Sequence, residues 1–198
     1  NGGEFIAMRL NLLAAGLAGA LAFGGVATPA LADGEETANP FSGYVTLTSD
    51  YRFRGVSQSD NGAALQASVD YAHDSGIFLG VWASNIDFGP FGDSDSRIEI
   101  DLTAGFGIAL SDQTEVSTKI VYYWYADADI APGDPEYNYY EIFGTLTHDF
   151  GKAKLSVEVA WTDETFGESG AATAVTGGLE VPLWKQLWIF DGGVLGSL

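Results

Sequence analysis

From residue 42 onward, apolar and polar positions alternate, and the alternation predicts a series of β-strands. In 44–54, Val45, Leu47, Tyr51 and Phe53 share one parity, and Thr46, Thr48, Asp50, Arg52 and Arg54 share the other. In 64–72, Leu65, Ala67, Val69 and Tyr71 oppose Gln66, Ser68 and Asp70, and in 77–85, Ile77, Leu79, Val81 and Ala83 oppose Phe78, Gly80, Trp82 and Ser84. The longest run is 97–110, where Ile98, Ile100, Leu102, Ala104, Phe106, Ile108 and Leu110 oppose Arg97, Glu99, Asp101, Thr103 and two glycines. Four more segments follow at 115–125, 138–148, 154–162 and 173–181, and a ninth apolar stretch begins near Leu187.

In all eight complete segments the apolar parity carries no charge. Asp50, Arg52, Arg54, Asp70, Arg97, Glu99, Asp101, Glu115, Lys119, Glu141, Lys154, Glu158 and Glu180 all fall on the other parity. A sheet with one wet face alternates too, but it does not need segments this long or outer faces this free of charge. About 9–11 residues is the length of a tilted strand crossing a bilayer, and a cation on the lipid face near the midplane costs about 2–4 kcal/mol. The connections also alternate. Short ones at 73–76, 111–113, 151–152 and 182–186 separate long ones at 57–62, 86–96, 126–137 and 163–172. Short periplasmic turns and long external loops are the pattern of outer-membrane barrels. Aromatics near segment ends (Tyr44, Tyr51, Phe53, Trp82, Tyr122, Trp124, Tyr139, Tyr140, Trp161, Trp184, Trp188) read as interface girdles.

Composition sharpens this picture. The 198 residues carry 8 Lys+Arg and 27 Asp+Glu, a formal net charge of −19, yet mean hydropathy is +0.09. With 46% hydrophobic residues the chain is not a disordered acidic polymer, and its acidity argues against nucleic acid as a partner. There is no Cys, hence no disulfide, thiolate metal site or Cys nucleophile. Residues 1–7 read as an extension ahead of Met8. Arg9, the apolar run Leu10–Val26 and the Ala30-Leu31-Ala32 box read as a secretory signal over 8–32, cleaved after Ala32. Its removal takes one acid, Glu4, and one base, Arg9, so the net charge stays −19. Residues 33–41 then form a periplasmic N-terminal segment and 42–198 the barrel. Bacterial up-and-down barrels close with an even number of strands, so nine strands predict a C-terminal truncation of a barrel that has ten or twelve when intact, the alternative being a barrel of eight with 187–195 as an accessory segment.

The stretch Gly43-Tyr-Val-Thr-Leu-Thr-Ser-Asp-Tyr-Arg-Phe-Arg-Gly-Val-Ser-Gln-Ser-Asp60 resembles the opening of the Gcw_chp family, Gram-negative outer-membrane proteins grouped as TorF-family porins. Gly80–Ile86, Glu99–Gly107 and Asp134–Ile142 are similar to the same family, and the likeness runs from about 42 to 181. The resemblance implies a porin-type barrel in the bacterial outer membrane. It implies no solute and carries over no functional residue.

The chemistry expected of the chain is that of a lumen. Asp50, Arg52, Arg54, Glu99, Asp101, Lys119, Glu141 and Glu158 are the pore-lining candidates. Opposed charges across a barrel set ion selectivity, and the acidic surplus predicts cation preference. The competing reading is that these charges pair and fill a narrow barrel. The acidic loops (Asp87, Asp93 and Asp95; Asp127, Asp129, Asp134 and Glu136; Asp163, Glu164 and Glu168) lack a full metal-loop spacing. Asp127, Asp129, Asp134 and Glu136 are weak calcium candidates only, and the loops read as solvated or bridged by divalent ions to lipopolysaccharide. The two His residues, His73 and His148, sit beside short turns, and there is no Gly-x-Ser-x-Gly elbow or phosphate loop, so no enzyme and no cofactor is expected. The reading is an all-β, antiparallel up-and-down transmembrane β-barrel behind a signal-peptide helix. It forms a narrow, cation-preferring diffusion channel for small solutes or ions. Its partners are outer-membrane lipid and lipopolysaccharide, and a homo-oligomer is compatible with it. The runners-up are a non-conducting structural or adhesive barrel acting through its loops, and a soluble barrel with the apolar parity inside.

Overall fold

The computed structural model describes residues 39–88, 96–126, 128–130, 132–184, 187–191 and 196–197, with side chains through Val181. The expected signal segment lies outside these residues. The chain is all-β. Its strands are β1 (Phe41–Thr48), β2 (Arg52–Phe53), β3 (Val56–Ser57), β4 (Ala64–Ala72), β5 (Ile77–Asn85), β6 (Ile98–Ala109), β7 (Thr114–Tyr125), β8 (Tyr139–Asp149), β9 (Lys154–Thr162), β10 (Ala172–Trp184), β11 (Leu187–Asp191) and β12 (Gly196–Ser197). One antiparallel meander runs β1-β4-β5-β6-β7-β8-β9-β10-β11, with β12 also paired to β10, and β2-β3 form a separate hairpin. Among the described residues no ladder joins β1 to the far edge, so the sheet is open rather than closed into a barrel. No described helix is long and apolar enough to cross a membrane, which says nothing of crossing by strands.

The register keeps the parity throughout. Val81 faces Leu102, which faces Tyr122, and Asp101 faces Tyr123, which faces Tyr139. Side chains alternate faces along a strand, so this register gives the whole sheet one aliphatic face and one charged and aromatic face. Burial then decides which is inside. Val45 and Leu47 are 73% and 72% exposed, whereas Glu99, Asp101 and Glu141 are 2%, 1% and 1% exposed. Leu65, Val69, Leu79, Leu102, Ile120, Ile142, Val157 and Leu179 are exposed as well. One face of a single sheet becomes this buried only if the sheet curls over it. The polar parity is the interior, and the core is Tyr51, Trp82, Val121, Tyr123, Tyr125, Tyr139, Phe143 and their neighbours.

The first expected strand, 44–54, is corrected. It ends at Thr48, and Tyr51 and Phe53 leave the outer face for the interior. The cause is local. The Ser57 and Ser59 hydroxyls both donate to the Asp50 carboxylate, and the Gln58 N–H donates to the Tyr51 carbonyl. This closes β2 and β3 around Arg54 and Gly55, at φ +47° and +85°. Positive φ at both central residues marks the turn whose twist suits a two-residue hairpin. The expected loop 57–62 is thus a longer excursion that folds back inward. Gly55 has open space where a Cβ would stand. Gly55→Ala is therefore expected to cost about 1–2 kcal/mol through backbone strain alone, read as a lower urea midpoint with unchanged slope.

The short connections cluster at one end and are tight. Gly76, at φ +94°, donates to the His73 carbonyl and accepts from the Gly107 N–H. An added Cβ there would lie 2.1 Å from the Gly107 carbonyl oxygen, so only glycine fits this turn.

Candidate functional site

The interior is built from alternate residues of β5 to β9 and closed by the β2-β3 hairpin. Arg54, at the hairpin tip, reaches across the curl to β8. Its Nη1 and Nη2 donate to Glu141 Oε1 and Oε2 at 2.7 and 2.9 Å. The Tyr123 hydroxyl donates to the same Oε2 at 2.9 Å. Such a two-pronged, charge-assisted pair fixes both partners in one plane. Phe53 follows the hairpin in, with its ring 5.8 Å from that of Tyr123. Tyr123 stacks on Tyr139 at 4.5 Å, and Tyr51 meets Trp82 edge-on at 5.3 Å. The carboxylates therefore stand in an aromatic wall.

The other pore-lining candidates divide. Glu99 and Asp101 lie deep in the same interior, 2% and 1% exposed, against each other and the Tyr51 hydroxyl. Lys119 pairs with Glu158 at 3.5 Å and lies 4.5 Å over the Phe143 ring. Thr145 donates to Glu158 Oε2 at 3.1 Å. Asp50 and Arg52 do not join this interior. They pair with each other at 2.6 Å in the loop, and Arg52 is about half exposed. Hydrogen bonding by Ser57, aided by Arg52, holds the Asp50 carboxyl below its ordinary value. A lowered folded value means that this contribution is complete above the unfolded pKa, about 3.9. It is lost as pH falls through the lower folded value. Loosening of the hairpin by acid is thus expected only below about pH 4, visible as earlier proteolysis at 52–57.

The long-loop end is covered by aromatic side chains. Phe166 stacks on Tyr137 at 4.7 Å and meets Tyr125 at 5.0 Å and Phe88 at 5.3 Å. The Gly167 N–H donates to the Glu136 carbonyl and ties two loops together. The girdle expectation needs correction here. Tyr122, Trp124 and Trp161 do face outward, but Tyr51, Trp82 and Tyr139 are buried inside. The side chains of Trp184 and Trp188 lie outside the described residues.

Of the weak calcium candidates, Asp129, Asp134 and Glu136 are exposed, and Asp127 lies outside the described residues, as do Asp93 and Asp95. Among the described residues no three acidic or His groups come within reach of one ion. Asp87 pairs with Arg97 at 3.2 Å. His73 Nδ1 accepts from the Ser75 N–H within its turn, and His148 Nδ1 shares a hydrogen bond with the Thr114 hydroxyl on the neighbouring strand. Both stand at the short-turn end.

Fold and site together define an all-β antiparallel meander with a charged, aromatic interior and an aliphatic exterior. A profile of bacterial proteins of unknown function, Gcw_chp, matches residues 32–194, and the chain belongs to that family. No curated protein and no solved structure matches it.

Proposed function

We propose that this chain is a porin-like β-barrel of the TorF type in the bacterial outer membrane, forming a narrow, cation-preferring path for small solutes or ions. The observation that carries this reading is the inverted distribution of side chains. Soluble monomers rarely expose a contiguous apolar patch above a few hundred Å². Here every strand of the meander from β1 to β10 with a described outer face presents aliphatic or aromatic residues there, while buried carboxylates line the inside. A soluble barrel with the apolar parity inside is the reverse of this arrangement. Strands of 8 to 13 residues suit a tilted crossing. Inside, the carboxylates of Glu99, Asp101, Glu141 and Glu158 outnumber the cations of Arg54 and Lys119, and this acidic excess favours cations.

The test is conductance of the refolded protein in planar bilayers under a potassium chloride gradient. Discrete openings with a cation-selective reversal potential are expected. Absence of any channel removes the diffusion reading. The structural or adhesive reading then stands, and it has its own support in the Arg54–Glu141 pair and the Phe166 cover that close the interior from the long-loop end.

A further inference from the structure

We propose that the inner carboxylate cradle binds small solutes carrying a guanidinium group, and that Arg54 is its tethered internal occupant. The proposal deepens the channel reading and rests on it for the solute's route to the cradle. Arg54 shows what the cradle recognises. Glu141 takes both guanidinium prongs at 2.7 and 2.9 Å. Tyr123 holds one of the same carboxylate oxygens from behind, and the Phe53 ring lies 4.6 Å from the guanidinium carbon. A planar, forked, weakly hydrated cation fits such a site better than a compact ammonium, and ring faces add cation–π attraction. A hard divalent ion is a poor match, because it needs several oxygens around one point.

Two features make the occupant exchangeable. Arg54 sits at the tip of a hairpin that lies outside the main sheet, with two paired residues on each side and its base held by the Asp50, Ser57, Ser59 and Tyr51 contacts. It also adopts φ +47°, a conformation that an arginine does not favour. The tether is thus short and strained rather than built into the sheet. The second observation is independent of Arg54. Asp101 and Glu99, 1% and 2% exposed, stand against each other beside the Tyr51 hydroxyl, and among the described residues no basic group forms an ion pair with either. Buried carboxylates are normally satisfied. Arg54 therefore leaves buried acidic groups beyond Glu141 without a basic ion-pair partner, and an incoming cation supplies the opposite charge.

The test uses the full chain refolded in detergent, with methylguanidinium as probe and methylurea as its neutral isostere. Intrinsic fluorescence and thermal midpoint are followed over a range too dilute to denature. The wild type is expected to bind methylguanidinium saturably and methylurea not at all. Arg54→Ala should bind it about tenfold tighter, because the tethered competitor is gone. Arg54→Lys, which keeps a charge and the hairpin, should fall between them. Glu141→Gln should abolish the difference between the two probes. Equal response to both probes, or identical affinity in the wild type and the folded Arg54 variants, overturns the proposal. Open channels without saturable methylguanidinium binding overturn it and leave the channel reading standing. Saturable binding without any conductance keeps the cradle and removes the channel.

Discussion

Leu102→Arg is expected to destabilise the protein in lipid bilayers by about 2–4 kcal/mol, while Thr103→Arg, one position along, costs much less. Leu102 lies near the middle of β6, between Val81 and Tyr122 on the outer face. It is 42% exposed, and neither Val81 nor Tyr122 beside it carries a charge. In water a charge at so exposed a position would cost a few tenths of a kcal/mol. A large penalty therefore requires hydrocarbon around the outer face. Thr103 belongs to the inner parity and stands beside Val121 of β7, in an interior already containing Lys119. Urea titration of protein folded into vesicles measures both. Equal and small effects would contradict a lipid-facing exterior.

Breaking the Arg54–Glu141 pair is expected to give the second large effect, and its two halves should differ. Arg54→Ala leaves a carboxylate 1% exposed with only the Tyr123 hydroxyl on it. An uncompensated buried charge of this kind costs about 3–5 kcal/mol. Glu141→Ala leaves Arg54, whose side chain is 27% exposed and whose hairpin can turn it to water. Its cost should be smaller, about 1–3 kcal/mol. The double substitution should cost less than the sum, because no orphaned charge remains. A double-mutant cycle in urea gives the three values, and strict additivity would mean that the two groups do not depend on one another.

The sheet was legible because its signal is local. The strands expected at 64–72, 77–85 and 154–162 coincide with β4, β5 and β9, and the ends of β6, β7 and β8 shift by a residue. Alternation with a charge-free parity also separated Glu99, Asp101, Glu141, Lys119 and Glu158 from the outer face. What the alternation concealed was the hairpin. Tyr51 and Phe53 continue the apolar parity by coincidence, so 44–54 reads as one strand. The contrary signal was Asp50 followed by Ser57 and Ser59, with Gly55 between, since a carboxylate and nearby hydroxyls close loops. The pairing of Arg54 with Glu141 spans 87 positions and has no local signature. The aromatic cover had none either, because Phe88, Tyr137 and Phe166 sit in three loops whose contacts depend on the curl of the sheet. Trp82 and Tyr139 were placed in the girdles by their position near strand ends, although their parity already put them inside.

The central claim is that the outer face meets lipid and the charged face does not. Three single-tryptophan variants, retaining Trp82, Trp124 or Trp161 with the other tryptophans changed to Phe, test it in vesicles of phosphatidylcholine brominated on the acyl chains. Trp124 and Trp161 are 41% and 44% exposed on the outer parity, and Trp82 is 5% exposed on the inner one. The account predicts strong quenching of Trp124 and Trp161 and little of Trp82. Quenching of Trp82 alone, or of none of the three, would contradict it.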